Sequence, residues 1–236
     1  MAAAMNASEL ASTIDHSLLK SETMAPEIHK LIAEAIEHRF AAVCIAPAFV
    51  AKAAVELRGS SVALCTVISF PHGTSKPTIK AIEATSAVKD GAEELDVVAH
   101  LPNLINNNFE AARLELIELV RAARAARRET VIKVIIESAA LLVLGADRGE
   151  AAIATACRAI RESGCDFVKT STGFHPAGGA SVEAVGLIKK YAQGLQIKAA
   201  GGIRDLATAR AMLEAGADRL GTSNSVSIVQ EAKAMI

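Results

Sequence analysis

The chain has 236 residues, 51% of them hydrophobic, which suffices for one large α/β core or two small ones. A formal net charge of −1 gives no basic field, and 3% aromatic residues with no Trp give few stacking surfaces, so nucleic acid and acidic membrane are excluded as main partners. No apolar run reaches the roughly 20 residues that span a bilayer, and MAAAMNASEL lacks a basic n-region and an apolar h-region, so a soluble cytoplasmic protein is expected.

Residues 1–12 read as a short N-terminal extension. TIDHSLL (13–19) is the first strand candidate. PEIHKLIAEAIEH (26–38) reads as a helix, with Pro26 suited to its first turn and Ile28, Leu31, Ile32, Ala35 and Ile36 at helical spacing. Strand AAVCIAP (41–47) precedes a helix at 48–57, and VALCTVISFP (62–71) precedes one at 77–89. EELDVVAHL (93–101) leads to a helix at 108–127, and VIKVIIES (131–138) to one at 147–163. DFVKTS (166–171), QIKAAGGI (196–203) and RLGTS (219–223) are followed by helices at 181–192, 205–215 and 224–235. The middle six strands are near-continuously apolar, as parallel strands buried on both faces are. Glycines in DGAEE, SGCDF and AGADR suit helix ends that lead into strands.

Strict alternation of eight strands and eight helices predicts a single-domain α/β protein, a (β/α)8 TIM barrel. A doubly wound open sheet would usually carry a G-x-G-x-x-G turn after an early strand, and the chain has none. Nothing divides the chain into two domains.

Four residue groups have plain structural readings. Cys44, Cys65, Cys157 and Cys165 form no C-x-x-C pair and read as small apolar filler. RAARAARR (121–128) reads as a solvated helix face. Asp205 reads as a helix cap. His16, His72, His100 and His175 fall near strand ends, where one could line a pocket, but no H-E-x-x-H is present and no metal is expected.

In such a barrel, chemistry sits at the C-terminal ends of strands and in the loops after them. The polar residues there are Asp15 and Ser17, Asp96, Lys133 and Glu137, Lys169 and Ser171, Lys198, and Ser223 and Asn224. Three lysines in buried strands, with Asp96 and Glu137, are the unusual feature. Burial and a neighbouring ammonium both disfavour protonation of a lysine. A neutral amine forms a Schiff base with a carbonyl, and the iminium acidifies the adjacent carbon. STG (171–173), GGIRD (201–205) and GTSNS (221–225) are small turns able to bring backbone N–H groups close to an anion. They follow strands six, seven and eight, and phosphate sites in these barrels favour the last two.

FVKTSTGF, IKAAGGIRD, ELDVV, KVIIES, CTVISFPHG, VCIAP, IDHSLLK and GTS together resemble the motif set of the deoxyribose-phosphate aldolase family, from about residue 13 to 229. The resemblance implies a cofactor-free lyase that reversibly cleaves 2-deoxy-D-ribose 5-phosphate to D-glyceraldehyde 3-phosphate and acetaldehyde. Lys169 matches the Schiff-base lysine, Lys198 the second lysine that tunes it, and Asp96 the acid/base aspartate. Asp15 and Lys133 match pocket residues, and Gly173, Gly201, Gly202 and Ser223 the phosphate cradle, with Ser171 expected to bind substrate beside them. The implied partners are the phosphosugar and aldehydes, with a homodimer as the implied assembly. Rival readings are another Schiff-base sugar-phosphate aldolase of this fold and a non-catalytic sugar-phosphate sensor.

Ala46, the segments 97–108 and 137–143, and Asn224 depart from the usual pattern. The loop after strand four is where unusual substrate tolerance is expected.

Overall fold

The computed structural model describes residues 5–235. Eight parallel strands close into a barrel in chain order. They are β1 (Ile14–Leu18), β2 (Ala42–Ile45), β3 (Ala63–Ile68), β4 (Glu94–Val98), β5 (Val131–Ile135), β6 (Phe167–Lys169), β7 (Gln196–Ala200) and β8 (Arg219–Thr222). All eight fall within the predicted runs. Each prediction ran one to three residues past the strand.

The helices are α1 (Ala7–Ala11), α2 (Ala25–His38), α3 (Val50–Glu56), α4 (Pro77–Lys89), α5 (Leu101–Ile105), α6 (Phe109–Ala126), α7 (Ser138–Leu142), α8 (Ala146–Ser163), α9 (Val182–Ala192), α10 (Leu206–Glu214) and α11 (Ser225–Ala234). The eight predicted helices are all present. The short α1, α5 and α7 were not predicted, because one turn and a half is too brief for a periodic pattern. Part of the supposed extension is thus ordered; residues 1–4 lie outside the described residues. Asn6 and Glu9 form a reciprocal capping box at the start of α1. The helix packs on α11 and sends Leu10 and Ala11 into the core.

The helices bury one face each. In α2, Ile28, Leu31, Ile32 and Ala35 are buried, but Ile36 faces outward at 42% exposure, so the apolar stripe is narrower than its spacing suggests. Gly164 ends α8 at φ 82, a left-handed turn that swings the chain into β6. Asp205 caps α10 as expected, accepting the Thr208 N–H at 2.7 Å. Arg121 is exposed, while Arg124 pairs with Asp166 at 3.0 Å.

The main core lies between barrel and helices. A second, smaller cluster fills one side of the barrel interior with Ala42, Cys44, Cys65 and Val67. The other side of the interior is charged. No described helix is long and apolar enough to cross a membrane.

Candidate active site

Side chains two apart on a strand face the same way, and adjacent parallel strands align them laterally. The barrel register sets Asp96 beside Lys133 and Lys169 beside Lys198. These four, with Asp15 from β1, point inward and are fully or almost fully buried. Gly221 on β8 makes room for them: a Cβ there would lie 3.0 Å from Lys198 Cε.

Asp96 is the hub. Lys169 Nζ and Lys198 Nζ each donate to its Oδ2 at 2.6 Å, and Lys133 Nζ donates to Oδ1 at 3.1 Å. Lys198 also donates to Asp15. Below this layer, Glu94 takes Lys133 at 2.5 Å, and Arg219 donates to Asp15 at 2.6 Å.

The charge states follow from this packing. Burial alone would raise the Asp96 carboxyl, but Lys133, Lys169 and Lys198 together hold it well below the usual range. Asp15 is likewise held low, against burial, by Lys198, Lys133 and Arg219. Burial works to neutralise Lys198, yet Asp15 and Asp96 raise it above an ordinary lysine. Lys133 is raised in the same way by Asp96, Asp15 and Glu94. Raised values for Lys133 and Lys198 favour their charged forms, which suits Lys198 as the second ammonium beside Lys169.

A cavity of about 270 Å³ opens above the hub. Lys169 reaches its floor with 3% of its surface exposed. Its wall includes Thr172 and Gly173 after β6, Gly201, Gly202 and Arg204 after β7, Ser223 and Asn224 after β8, and Lys20 after β1. The three predicted glycine turns therefore meet at one place. Gly173 and Gly201 pack backbone to backbone: a Cβ on Gly201, at φ 88, would lie 3.2 Å from Gly173 Cα and 3.0 Å from Gly179 Cα.

Asp15 and Lys133 sit beneath the cavity rather than on its wall, held in the charged layer. Ser171 is fully buried, and its hydroxyl has no partner among the described residues. Of the four departures from the usual pattern, Asn224 lines the cavity. Segment 97–108 builds α5 and buries Leu104 in the main core. His16 points outward from β1 to Glu34 at 3.0 Å, so it does not serve the cavity.

Cys44 and Cys65 are buried in the small apolar cluster of the barrel interior, as their reading as filler expects, and also border the charged layer. Cys65 Sγ lies 3.2 Å from Asp96 Oδ1 and 3.3 Å from Lys133 Nζ, and Cys44 Sγ lies 3.9 Å from Asp96 Oδ2. Both touch the charged side from the apolar one because they occupy inward positions on β2 and β3. Burial and Cys44 push the Cys65 thiol well up. Cys157 and Cys165 are filler as expected, their thiols pushed up to about 12 by burial. Glu94 and Arg219 were missed. Period-two alternation from Asp96 and Gly221 points to both.

Cys44, Cys65 and Asp96 bring ligand atoms within 4.8 Å of one another, as do Asp15, Cys65 and Glu94. Lysine or arginine cations already engage these carboxylates, so a metal ion would have to displace them.

Comparison with known proteins points to one aldolase family. The family model described as DeoC/LacD family aldolase matches residues 10–228. A deoxyribose-phosphate aldolase of Carboxydothermus hydrogenoformans is 44% identical over 227 residues, covering 96% of each chain. One from Kocuria rhizophila is 45% identical over 223 residues, 94% of this chain and 96% of its own. Among solved structures, an aldolase designated QR15 superposes with a TM-score of 0.85 at 39% identity, covering 95% of this chain and 96% of its own. A deoxyribose phosphate aldolase from Aeropyrum pernix, described as tetrameric, gives 0.86 at 31% identity, covering 98% of this chain and 93% of its own.

Proposed function

The chain belongs to the DeoC/LacD family of aldolases, and from that membership we propose how its site handles its substrate. It is a deoxyribose-phosphate aldolase, a class I lyase that reversibly cleaves 2-deoxy-D-ribose 5-phosphate to D-glyceraldehyde 3-phosphate and acetaldehyde through a lysine Schiff base. The observation that carries the assignment of roles is that Lys169 alone of the three hub lysines lines the open cavity, while Asp96 ties it to Lys198.

In the open-chain sugar, Lys169 Nζ attacks the aldehyde carbon and water leaves, giving an iminium. The hydroxyl on the third carbon loses its proton, and the bond between the second and third carbons breaks. Its electron pair moves into the iminium and forms an enamine. D-Glyceraldehyde 3-phosphate departs. The enamine takes a proton at its terminal carbon, and water then hydrolyses the iminium to release acetaldehyde.

Asp96 and Lys198 manage these protons. Asp96 lies within hydrogen-bond reach of both Lys169 and Lys198, so it can pass protons between them. Lys198 holds its ammonium beside the reacting nitrogen through the shared Asp96 oxygen. Asp15 and Lys133 fix this arrangement from below. The phosphate occupies the glycine-lined end, with Gly173, Gly201, Gly202 and Ser223 supplying close backbone approach. Ser171 stays behind that wall as support.

A homodimer in the cytoplasm is the setting proposed for this enzyme, and light scattering of the purified protein tests the assembly. Borohydride trapping with 2-deoxyribose 5-phosphate, followed by peptide mass spectrometry, tests the mechanism. A two-carbon adduct on Lys169 is expected. An adduct on Lys198 or Lys133 would keep the chemistry and reverse the roles; no adduct in folded protein would favour a sugar-phosphate sensor.

A further inference from the structure

We infer that Glu137 is a positioning residue that holds one wall of the sugar-phosphate cavity in place through the backbone of Thr172, an inference that rests on the aldolase reading above. The segment after β5 does not leave its neighbour where the strand ends. Ile136 N–H donates to the Lys169 carbonyl at 3.0 Å, and Ser138 N–H donates to the Thr170 carbonyl at 2.8 Å. Between them, Glu137 takes a left-handed conformation at φ 50, ψ 56. A residue with a Cβ adopts that region only when its surroundings impose it. The consequence is visible one bond further on. The Glu137 side chain turns back, and its Oε1 accepts the Thr172 N–H at 2.9 Å. A side chain thus continues the ladder that the backbone has run out of.

That contact leads directly to the cavity. Thr172 and Gly173 line it, and a Cβ added at Gly201 on the opposite turn would lie 3.2 Å from Gly173 Cα. Glu137 itself is 4% exposed, lines no part of the cavity, and does not bond to Lys169 or Asp96. It therefore acts on the wall and not on the reacting atoms. Its second oxygen, Oε2, is buried with no partner among the described residues, as are the hydroxyls of Ser138 and Ser171. A buried carboxylate with an unsatisfied oxygen on a left-handed backbone is a poor choice for filling space. The choice makes sense where the placing of Thr172 is what matters.

Glu137→Ala removes the acceptor, and Glu137→Gln keeps an oxygen for Thr172 while removing the charge. Thermal melts, steady-state kinetics on 2-deoxyribose 5-phosphate, and borohydride trapping of acetaldehyde alone on Lys169 are measured for both and for the parent. Glu137→Ala is expected to raise KM at least about tenfold with kcat within about threefold, and to trap acetaldehyde as the parent does. Glu137→Gln is expected to keep KM within about threefold. A parental KM in Glu137→Ala, equal damage in the two variants, or acetaldehyde trapping lost along with binding would each overturn the inference. Should Glu137→Ala not fold, Glu137→Asp, one methylene shorter, carries the same expectation, and loss of fold in both would assign Glu137 to structure alone. Failure of the parent to trap acetaldehyde would instead remove the aldolase reading on which the inference stands.

Discussion

Lys169 and Lys198 place their nitrogens on the same atom, Oδ2 of Asp96, each at 2.6 Å. The shared oxygen sets their division of labour. Lys169 reaches the cavity, and Lys198 is buried between two carboxylates that keep it charged. Replacing Lys198 by Met keeps much of the volume and removes the charge. The expected loss in kcat on 2-deoxyribose 5-phosphate is at least about a hundredfold, or ~2.7 kcal/mol of transition-state stabilisation. Single-turnover measurement separates this from product release. A kcat near the parent value would make Lys198 a structural ion and nothing more.

Much of this site could be read in the chain because chemistry and burial conflict there. Lysines at 133, 169 and 198 interrupt runs of Val, Ile and Ala, and such interruptions stand out. What could not be read was the lateral register. That Lys133 sits beside Asp96, and Lys169 beside Lys198, depends on how each strand is staggered in the closed barrel. The inward position of Cys65 was hidden for a related reason, since a cysteine in an apolar run has the same appearance whether it faces helices or barrel interior. Glu94 was overlooked because it opens its strand, where a charged residue ordinarily reaches solvent. Charge state at Lys133 and Lys198 cannot be read from burial alone, because desolvation and carboxylate contacts oppose each other, and only distances decide between them.

The same network predicts a flat pH dependence of its stabilising effect across the neutral range. Asp15 and Asp96 have folded-state values below their ordinary ones, so their contribution is complete above about pH 4 and is lost as pH falls through the lowered values. Lys133 and Lys198 are raised, so theirs is complete below about pH 10 and is lost as pH rises through the raised values. Asp15→Asn removes one partner of a buried pair and is expected to cost about 3–5 kcal/mol. Thermal melts should show a constant difference from the parent between about pH 5 and 9, narrowing in stronger acid. A gap that changes steadily between pH 5 and 9 would mean that another group dominates.

Lys80 and Glu115 form a second buried ion pair, 2.5 Å apart between α4 and α6 and away from the cavity. Lys80 Nζ also donates to the Val98 carbonyl at 2.7 Å, so it ties both helices to the end of β4. Lys80→Met leaves a buried carboxylate without its partner and should cost about 3–5 kcal/mol in urea unfolding. The double variant Lys80→Met with Glu115→Leu should recover at least about half of that, because no uncompensated charge remains. Turnover at low temperature should stay within about twofold of the parent in both. Additive losses in the double variant would show that packing, not charge, stabilises this interface.

Two glycines allow binding and chemistry to be separated by single methyl groups. At Gly201, φ is 88, and an added Cβ would meet Gly179 Cα at 3.0 Å and Gly173 Cα at 3.2 Å. These are backbone atoms and cannot move aside cheaply, so Gly201→Ala must open the turn that the phosphate is proposed to use. KM for 2-deoxyribose 5-phosphate should rise at least about tenfold, while borohydride still traps acetaldehyde on Lys169. At Gly221 the added Cβ would instead lie 3.0 Å from Lys198 Cε and from Ala200 Cβ. A methyl there presses on the lysine that shares Asp96 with Lys169, so Gly221→Ala should lower kcat by at least about tenfold and weaken acetaldehyde trapping as well. Comparing trapping in the two variants decides the matter. Intact trapping in Gly201→Ala beside weakened trapping in Gly221→Ala would place phosphate recognition and Schiff-base chemistry at opposite ends of one cavity. Equal loss in both would mean that the glycine turns and the lysine hub move as one body.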